Sequence, residues 1–133
     1  MAVIGIDAGG TKIAALALHQ EEVVEKLQLP TDTTSPESVV GGLVEVFNLI
    51  GKKVESRGFG VDALGVGIAG FIDYDRGIVT FAPNLPLRDM PLRGILQERC
   101  GLPVVLDNDA NTAALAEAHF GAGRGTSHLV HLT

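Results

Sequence analysis

Residues Asp7-Ala8-Gly9-Gly10-Thr11-Lys12 follow a short apolar run, Val3 to Ile6. A buried strand entering a tight turn gives this pattern. Gly9 and Gly10 leave backbone N–H groups with no side chain in the way, a concavity suited to phosphate oxygens. Thr11 adds a hydroxyl and Lys12 a positive charge, while Asp7, at the strand end, can hold Mg²⁺ through water. The run is not a P-loop, because Thr11 precedes Lys12 and the required order places Lys before Ser or Thr with a helix after it. Nor does the turn contain the Gly-x-Gly-x-x-Gly of a dinucleotide fold. Asp and Gly also serve plain hairpin geometry. That reading stands beside the phosphate one, and the position at the end of the first strand favours phosphate.

Gly5-Ile6-Asp7-Ala8-Gly9-Gly10-Thr11-Lys12 resembles the first phosphate motif of the ROK family (repressors, open reading frames and kinases). That family belongs to the superfamily sharing the actin-like ATPase fold with hexokinases and chaperone ATPases. Later segments match in order, so the resemblance covers essentially the whole chain. Ala69-Gly70-Phe71-Ile72-Asp73 is similar to the family's Gly-x-x-Gly-x-Ile/Val-Asp segment beside the sugar, with Ala69 and Phe71 as departures. Pro83-Asn84-Leu85 matches a Pro-Asn-Leu whose Asn bonds sugar hydroxyls. Asp107-Asn108-Asp109-Ala110-Asn111 matches an Asn-Asp-Ala-Asn in which Asn binds sugar and Asp is the catalytic base. The resemblance therefore implies ATP and Mg²⁺ at Asp7, Gly9, Gly10, Thr11 and Lys12. It implies a hexose at Gly70, Asn84, Asn108 and Asp109, with Asp109 as base.

Elementary chemistry agrees with those roles. A hydroxyl is a poor nucleophile until a carboxylate accepts its proton, a service worth roughly 10²–10⁴ in rate. Phosphoryl transfer otherwise needs positioning and charge neutralisation. Amide side chains suit a sugar because each both donates and accepts. Taken singly, Asn108-Asp109 also reads as a helix cap and Asn84 as a turn residue after Pro83. Agreement of four segments in one order favours the site.

The elements that must position these residues follow from pattern. Lys12 to His19 reads as a second strand paired back onto the first, although its alanines favour helix by propensity. Val23 to Leu29 alternates, with Val23, Glu25, Leu27 and Leu29 expected on one face, and stops at Pro30. A helix starts at Thr34-Ser35-Pro36-Glu37, either from a Ser35 cap with Pro36 in the first helical position or from a Thr34–Glu37 capping box. Val39, Val40, Leu43, Phe47, Ile50 and Val54 keep helical spacing to about Ser56. Ala63 to Ala69 is a glycine-studded buried strand. Phe71-Ile72 and Ile78-Val79 flank a hairpin tip, where Asp73, Asp75 and Arg76 are expected in solvent. Leu92 to Cys100 is a short helix closed by Gly101, and Val104 to Leu106 another buried strand. An Ala-rich helix follows Asp109 and ends near Gly121, and a last strand begins at His128. The fold class is α/β, a mixed five-stranded sheet with flanking helices; the resemblance makes it an actin-like ATPase (ribonuclease H-like) domain. Residues 1–121 form one domain, and Gly121 to Gly125 a glycine-rich joint into residues 122–133.

Composition bounds the rest. The 133 residues are 46% hydrophobic and 20% charged, with a formal net charge of −6 and no basic run. Clustered cations that neutralise nucleic-acid phosphates are therefore missing, and no nucleic-acid partner is expected. No stretch reaches the about 20 apolar residues that cross a bilayer, so no membrane partner is expected. The single cysteine, Cys100, is read as a small buried residue, and with no disulfide framework a reducing cytoplasm fits. His19, His119, His128 and His131 lack metal-like spacing, and Glu117 is placed near Asp109 on the same helix face.

In the family a second phosphate loop, a Glu-x-x-Gly-His sugar segment, a cysteine-rich zinc motif and an adenosine site come later. The chain is thus expected to correspond to an N-terminal half without the zinc site, weak in sugar binding and inactive alone, with exposed apolar surface, from a protein that forms homodimers. The resemblance implies ATP-dependent phosphorylation of a hexose, most simply glucose, at its 6-hydroxyl. The alternative is a sugar-sensing ROK-type transcriptional regulator. Such regulators carry a helix-turn-helix ahead of the body, whereas the phosphate motif here starts at Gly5. A chaperone-like or actin-like ATPase would share the first turn but leaves Asn84 and Asn108-Asp109 unexplained.

Overall fold

Strand β1 (Ala2–Ala8) is buried along its length except at Asp7, which places it in the middle of a sheet covered on both faces. The computed structural model describes residues 1–108 and Ala116. From β1 the chain turns back into β2 (Lys12–His19) and again into β3 (Glu22–Pro30), an antiparallel meander. Helix α1 (Pro36–Ser56) then carries it across to β4 (Val61–Ile68), parallel to β1. Two short strands, β5 (Phe71–Asp73) and β6 (Ile78–Ala82), form a hairpin, and β7 (Leu87–Met90) pairs with β6. Helix α2 (Leu92–Cys100) leads into β8 (Val104–Asn108), parallel to β4. The main sheet has five strands in the order β3-β2-β1-β4-β8, and β5-β6-β7 make a separate sheet of three. The mixed five-stranded sheet is as expected. The second sheet is not: Leu87-Arg88-Asp89-Met90 is short and charged, and Asp89 sits at φ 49°, so no strand signal marks it.

The core lies on the helix-covered face of the main sheet. Ile4, Ile6 and Ala8 of β1, Leu64, Val66 and Ile68 of β4, and Val104 and Leu106 of β8 meet Val39, Leu43, Val46, Ile50 and Val54 of α1 and Leu92 and Leu96 of α2. Val3 and Ala63 point to the other face, where they cluster with the helical, fully buried Ala116. Gly5 pairs with Gly65 there, which leaves that face nearly flat.

Of the two expected starts for α1, Ser35 is the cap. Its hydroxyl accepts from Ser38 N at 3.1 Å, and Pro36 follows in the first helical position. Thr34 turns back instead, its amide and hydroxyl both donating to Asp32 Oδ1, which holds the Asp32 carboxyl below its usual range. The expected alternation of β3 needs correction at Val23. A bulge between Ala17 and Leu18 of β2 leaves Val24 without a register partner. Val24 packs on the core with Leu27 and Leu29, while Val23 is exposed. An inserted residue turns every side chain before it to the opposite face. Glu25 does share the face of Leu27, where it pairs with Arg57 at the end of α1 at 3.1 Å.

Candidate functional site

Register aligns the carboxyl ends of the three parallel strands. Ala8, Ile68 and Asn108 form one row across β1, β4 and β8, and Asp7, Gly67 and Asp107 form the row before it. Residues in one row of a parallel sheet share a face, and neighbouring strands lie about 4.8 Å apart. Asp7 and Asp107 therefore stand on the same face, with the side-chain-free Gly67 between them. Ligands of open α/β sheets bind beyond the carboxyl ends of such strands. Asp7 is the only exposed residue of β1. A carboxylate on a buried strand is costly unless it meets water or a partner, and Asp7 lies exposed near the carboxyl end of β1. Its oxygens fit the water-mediated Mg²⁺ role, since that ion keeps much of its own hydration shell.

The Gly9–Lys12 turn is held at three points. Gly9 N donates to Lys12 O at 3.0 Å, closing the loop. Thr31, just beyond the end of β3, donates its amide to Thr11 O at 3.0 Å and its hydroxyl to Gly9 O at 2.8 Å. Thr11 and Lys12 are exposed, so a hydroxyl and an ammonium stand at the mouth of the turn.

Two glycines bring the small sheet against this edge. A Cβ on Gly10 would lie 2.9 Å from both Cβ and O of Asn84, too close for any real side chain. The Gly9–Lys12 turn thus abuts the Pro83-Asn84-Leu85 turn, where buried Leu85 anchors the segment and Asn84 stays exposed. A Cβ on Gly70 would lie 2.6 Å from Phe81 O and 2.9 Å from Ala82 Cα, so only glycine lets the β4–β5 connection pass β6 so closely. The Gly70 carbonyl in turn accepts a hydrogen bond from Asn108 Nδ2, and Asn108 N donates to Asp107 Oδ1 at 2.6 Å. Of the predicted phosphate residues Gly10 is the one shown against Asn84, and Gly70 is joined to Asn108 through this bond. Asp109, next after Asn108, lies outside the described residues. So do Glu117, His119, His128, His131, the Gly121–Gly125 joint and the strand expected from His128.

Sequence reasoning missed Thr31 and gave Asp107 no place in the site, only a share in a helix cap. No motif includes Thr31, whose importance appears only when β3 is laid beside β2; Asp107 is found only from the β1–β4–β8 register. The remaining side chains keep ordinary structural roles. Burial pushes the Cys100 thiol up, against a smaller lowering by Arg99, the behaviour of a packed cysteine. His19 stacks on Phe59 at 4.0 Å and donates from Nδ1 to Met1 O at 3.0 Å. At the hairpin tip Asp73 Oδ1 accepts from Arg76 N at 3.2 Å. Among the described residues no helix is long and apolar enough to cross a membrane.

Comparison with known proteins matches this arrangement. The model of the ROK family matches residues 3–133. The glucokinase of Streptomyces coelicolor is 40% identical over 131 residues, which cover 98% of this chain and 39% of that protein. The crystal structure of a ROK family glucokinase from Streptomyces griseus, in complex with glucose and AMPPNP, superposes with a TM-score of 0.73 at 40% identity, covering 94% of this chain and 38% of that one. The xylose repressor of Caldicellulosiruptor bescii is 32% identical over 133 residues, 98% of this chain and 33% of the repressor. The chain spans about two fifths of the length of the Streptomyces glucokinase it matches. Fold and sheet edge together define an α/β domain of the actin-like ATPase class. Within that class, the chain belongs to the ROK family.

Proposed function

We propose that the protein phosphorylates a hexose, most simply glucose, at its 6-hydroxyl with ATP. The observation that carries this reading is the close approach of the phosphate turn to Asn84 through Gly10. A phosphate cradle and a hydroxyl-binding amide within one contact are what transfer from nucleotide to sugar requires. Backbone N–H groups of the turn and Lys12 bind phosphate oxygens. Asp7 would hold Mg²⁺ through water, and the ion would neutralise charge on the phosphates. Asn84 and Asn108 orient the sugar. Donation to Gly70 O by Asn108 Nδ2 fixes the amide plane and leaves Oδ1 to accept from a sugar hydroxyl. Asp109 accepts the 6-hydroxyl proton as that oxygen attacks the terminal phosphorus, and the bond from that phosphorus to the β–γ bridging oxygen breaks to release ADP. The glucose and AMPPNP in the Streptomyces griseus relative support this pair of substrates.

The test is a coupled ADP-release assay on the full-length protein across glucose, mannose, fructose and N-acetylated amino sugars. Asp109→Asn should lower turnover by about 10²–10⁴ while sugar affinity falls modestly; unchanged turnover would sink the assignment. The likeness to the xylose repressor supports a second reading, a sugar-sensing regulator. Sugar binding without ADP release for any sugar of the panel would favour it.

A further inference from the structure

We infer that Thr31 is a positioning residue for nucleotide binding: it clamps the phosphate turn from behind and sets the direction of the amides that meet phosphate. The inference rests on reading Gly9–Lys12 as the phosphate cradle. Thr31 reaches the turn twice, through its hydroxyl to Gly9 O at 2.8 Å and its amide to Thr11 O at 3.0 Å. Both acceptors are carbonyls of the turn itself. In a trans planar peptide the C=O and the following N–H point in opposite directions. Holding Gly9 C=O toward Thr31 therefore turns Gly10 N–H away from it, and holding Thr11 C=O there does the same for Lys12 N–H. Both peptides are thereby held with their N–H groups on the side away from β3. A glycine pair has the widest backbone freedom of any sequence, so without an external tie the Gly9–Gly10 peptide could flip and offer phosphate a carbonyl instead of a donor. The Thr31 hydroxyl bond opposes that flip. Thr31 is half-buried and lies about twenty residues from the turn in sequence, so the clamp depends on β3 lying in register beside β2.

The experiment compares Thr31→Val, which keeps the shape and the amide bond but loses the hydroxyl, with Thr31→Ser, which keeps the hydroxyl. In full-length protein, MgATP affinity, KM for MgATP and for hexose, and melting temperature are measured together. Loss of one hydrogen bond on this tie should weaken MgATP binding by about three- to tenfold in Thr31→Val, with hexose KM within about twofold and Thr31→Ser close to wild type. A merely structural role predicts a lower melting temperature with nucleotide affinity unmoved. That result, or equal damage in Thr31→Ser and Thr31→Val, overturns the inference. Wild-type protein that binds MgATP but turns over no sugar overturns the kinase reading alone, and the Thr31 comparison is then read from affinity. Wild-type protein that binds no MgATP overturns both.

Discussion

Gly10 shows how much of the site depends on what a residue lacks. Any side chain there would meet Asn84 at 2.9 Å on both Cβ and a backbone oxygen, and neither atom belongs to a flexible side-chain end that could swing aside. Gly10→Ala should therefore force the two turns apart, at a cost of about 1–3 kcal/mol as an overpacked contact. A lower melting temperature together with at least a tenfold loss of kcat/KM in the ADP-release assay is expected. The same loss should not follow at Gly94, where a Cβ meets nothing within 4 Å. At this scale residue type and spacing singled out Asp7, Gly9, Gly10, Thr11 and Lys12 as a candidate phosphate turn, and the structure adds that Gly10 abuts Asn84. Asn84 and Asn108 were singled out only through a motif, since an asparagine in a turn has many uses. Thr31 was invisible. Its function is a bond to a residue far away in sequence, and nothing in Pro30-Thr31-Asp32 announces it.

Among the elements, the sequence reads best where one face is buried and worst where the chain departs from period. Helix α1 was recovered to its last residue because its apolar stripe and its Ser35-Pro36 start agree. The face of Val23 was misread because a bulge leaves no mark in an alternating pattern. Strand β7 was missed because four residues held by β6 need no propensity of their own. The β2–β3 connection offers a test. Gln20 and Glu21 both adopt positive φ, 52° and 67°, between the paired His19 and Glu22. A two-residue turn of this hand prefers Asn-Gly, and the left-handed conformation costs an ordinary residue roughly 1–2 kcal/mol. Gln20→Asn with Glu21→Gly should raise stability by about 1 kcal/mol, seen as a higher denaturant midpoint at unchanged slope. Because this turn closes the end of the β2–β3 hairpin opposite the phosphate turn, the kinetic constants should not move.

For the molecule as a whole, the site is a product of topology. No local segment contains it: β1, β4 and β8 each contribute one residue to each row, the β6–β7 connection contributes Asn84, and the segment just after β3 contributes Thr31. Family membership was legible because four segments recur in order, while their convergence on one edge required the parallel register. The contact between Gly10 and Asn84 has a consequence for binding thermodynamics. The segment that would grip the sugar and the segment that would grip the nucleotide share a surface with no slack, so fixing one restricts the other. Whatever free energy sugar contributes to nucleotide affinity must be returned in equal measure by nucleotide to sugar affinity. Calorimetric titration of the full-length protein with hexose, alone and saturated with AMPPNP, should give a tighter hexose Kd in the second case. The reverse titration should tighten by the same factor, and Gly10→Ala should reduce both factors toward one together.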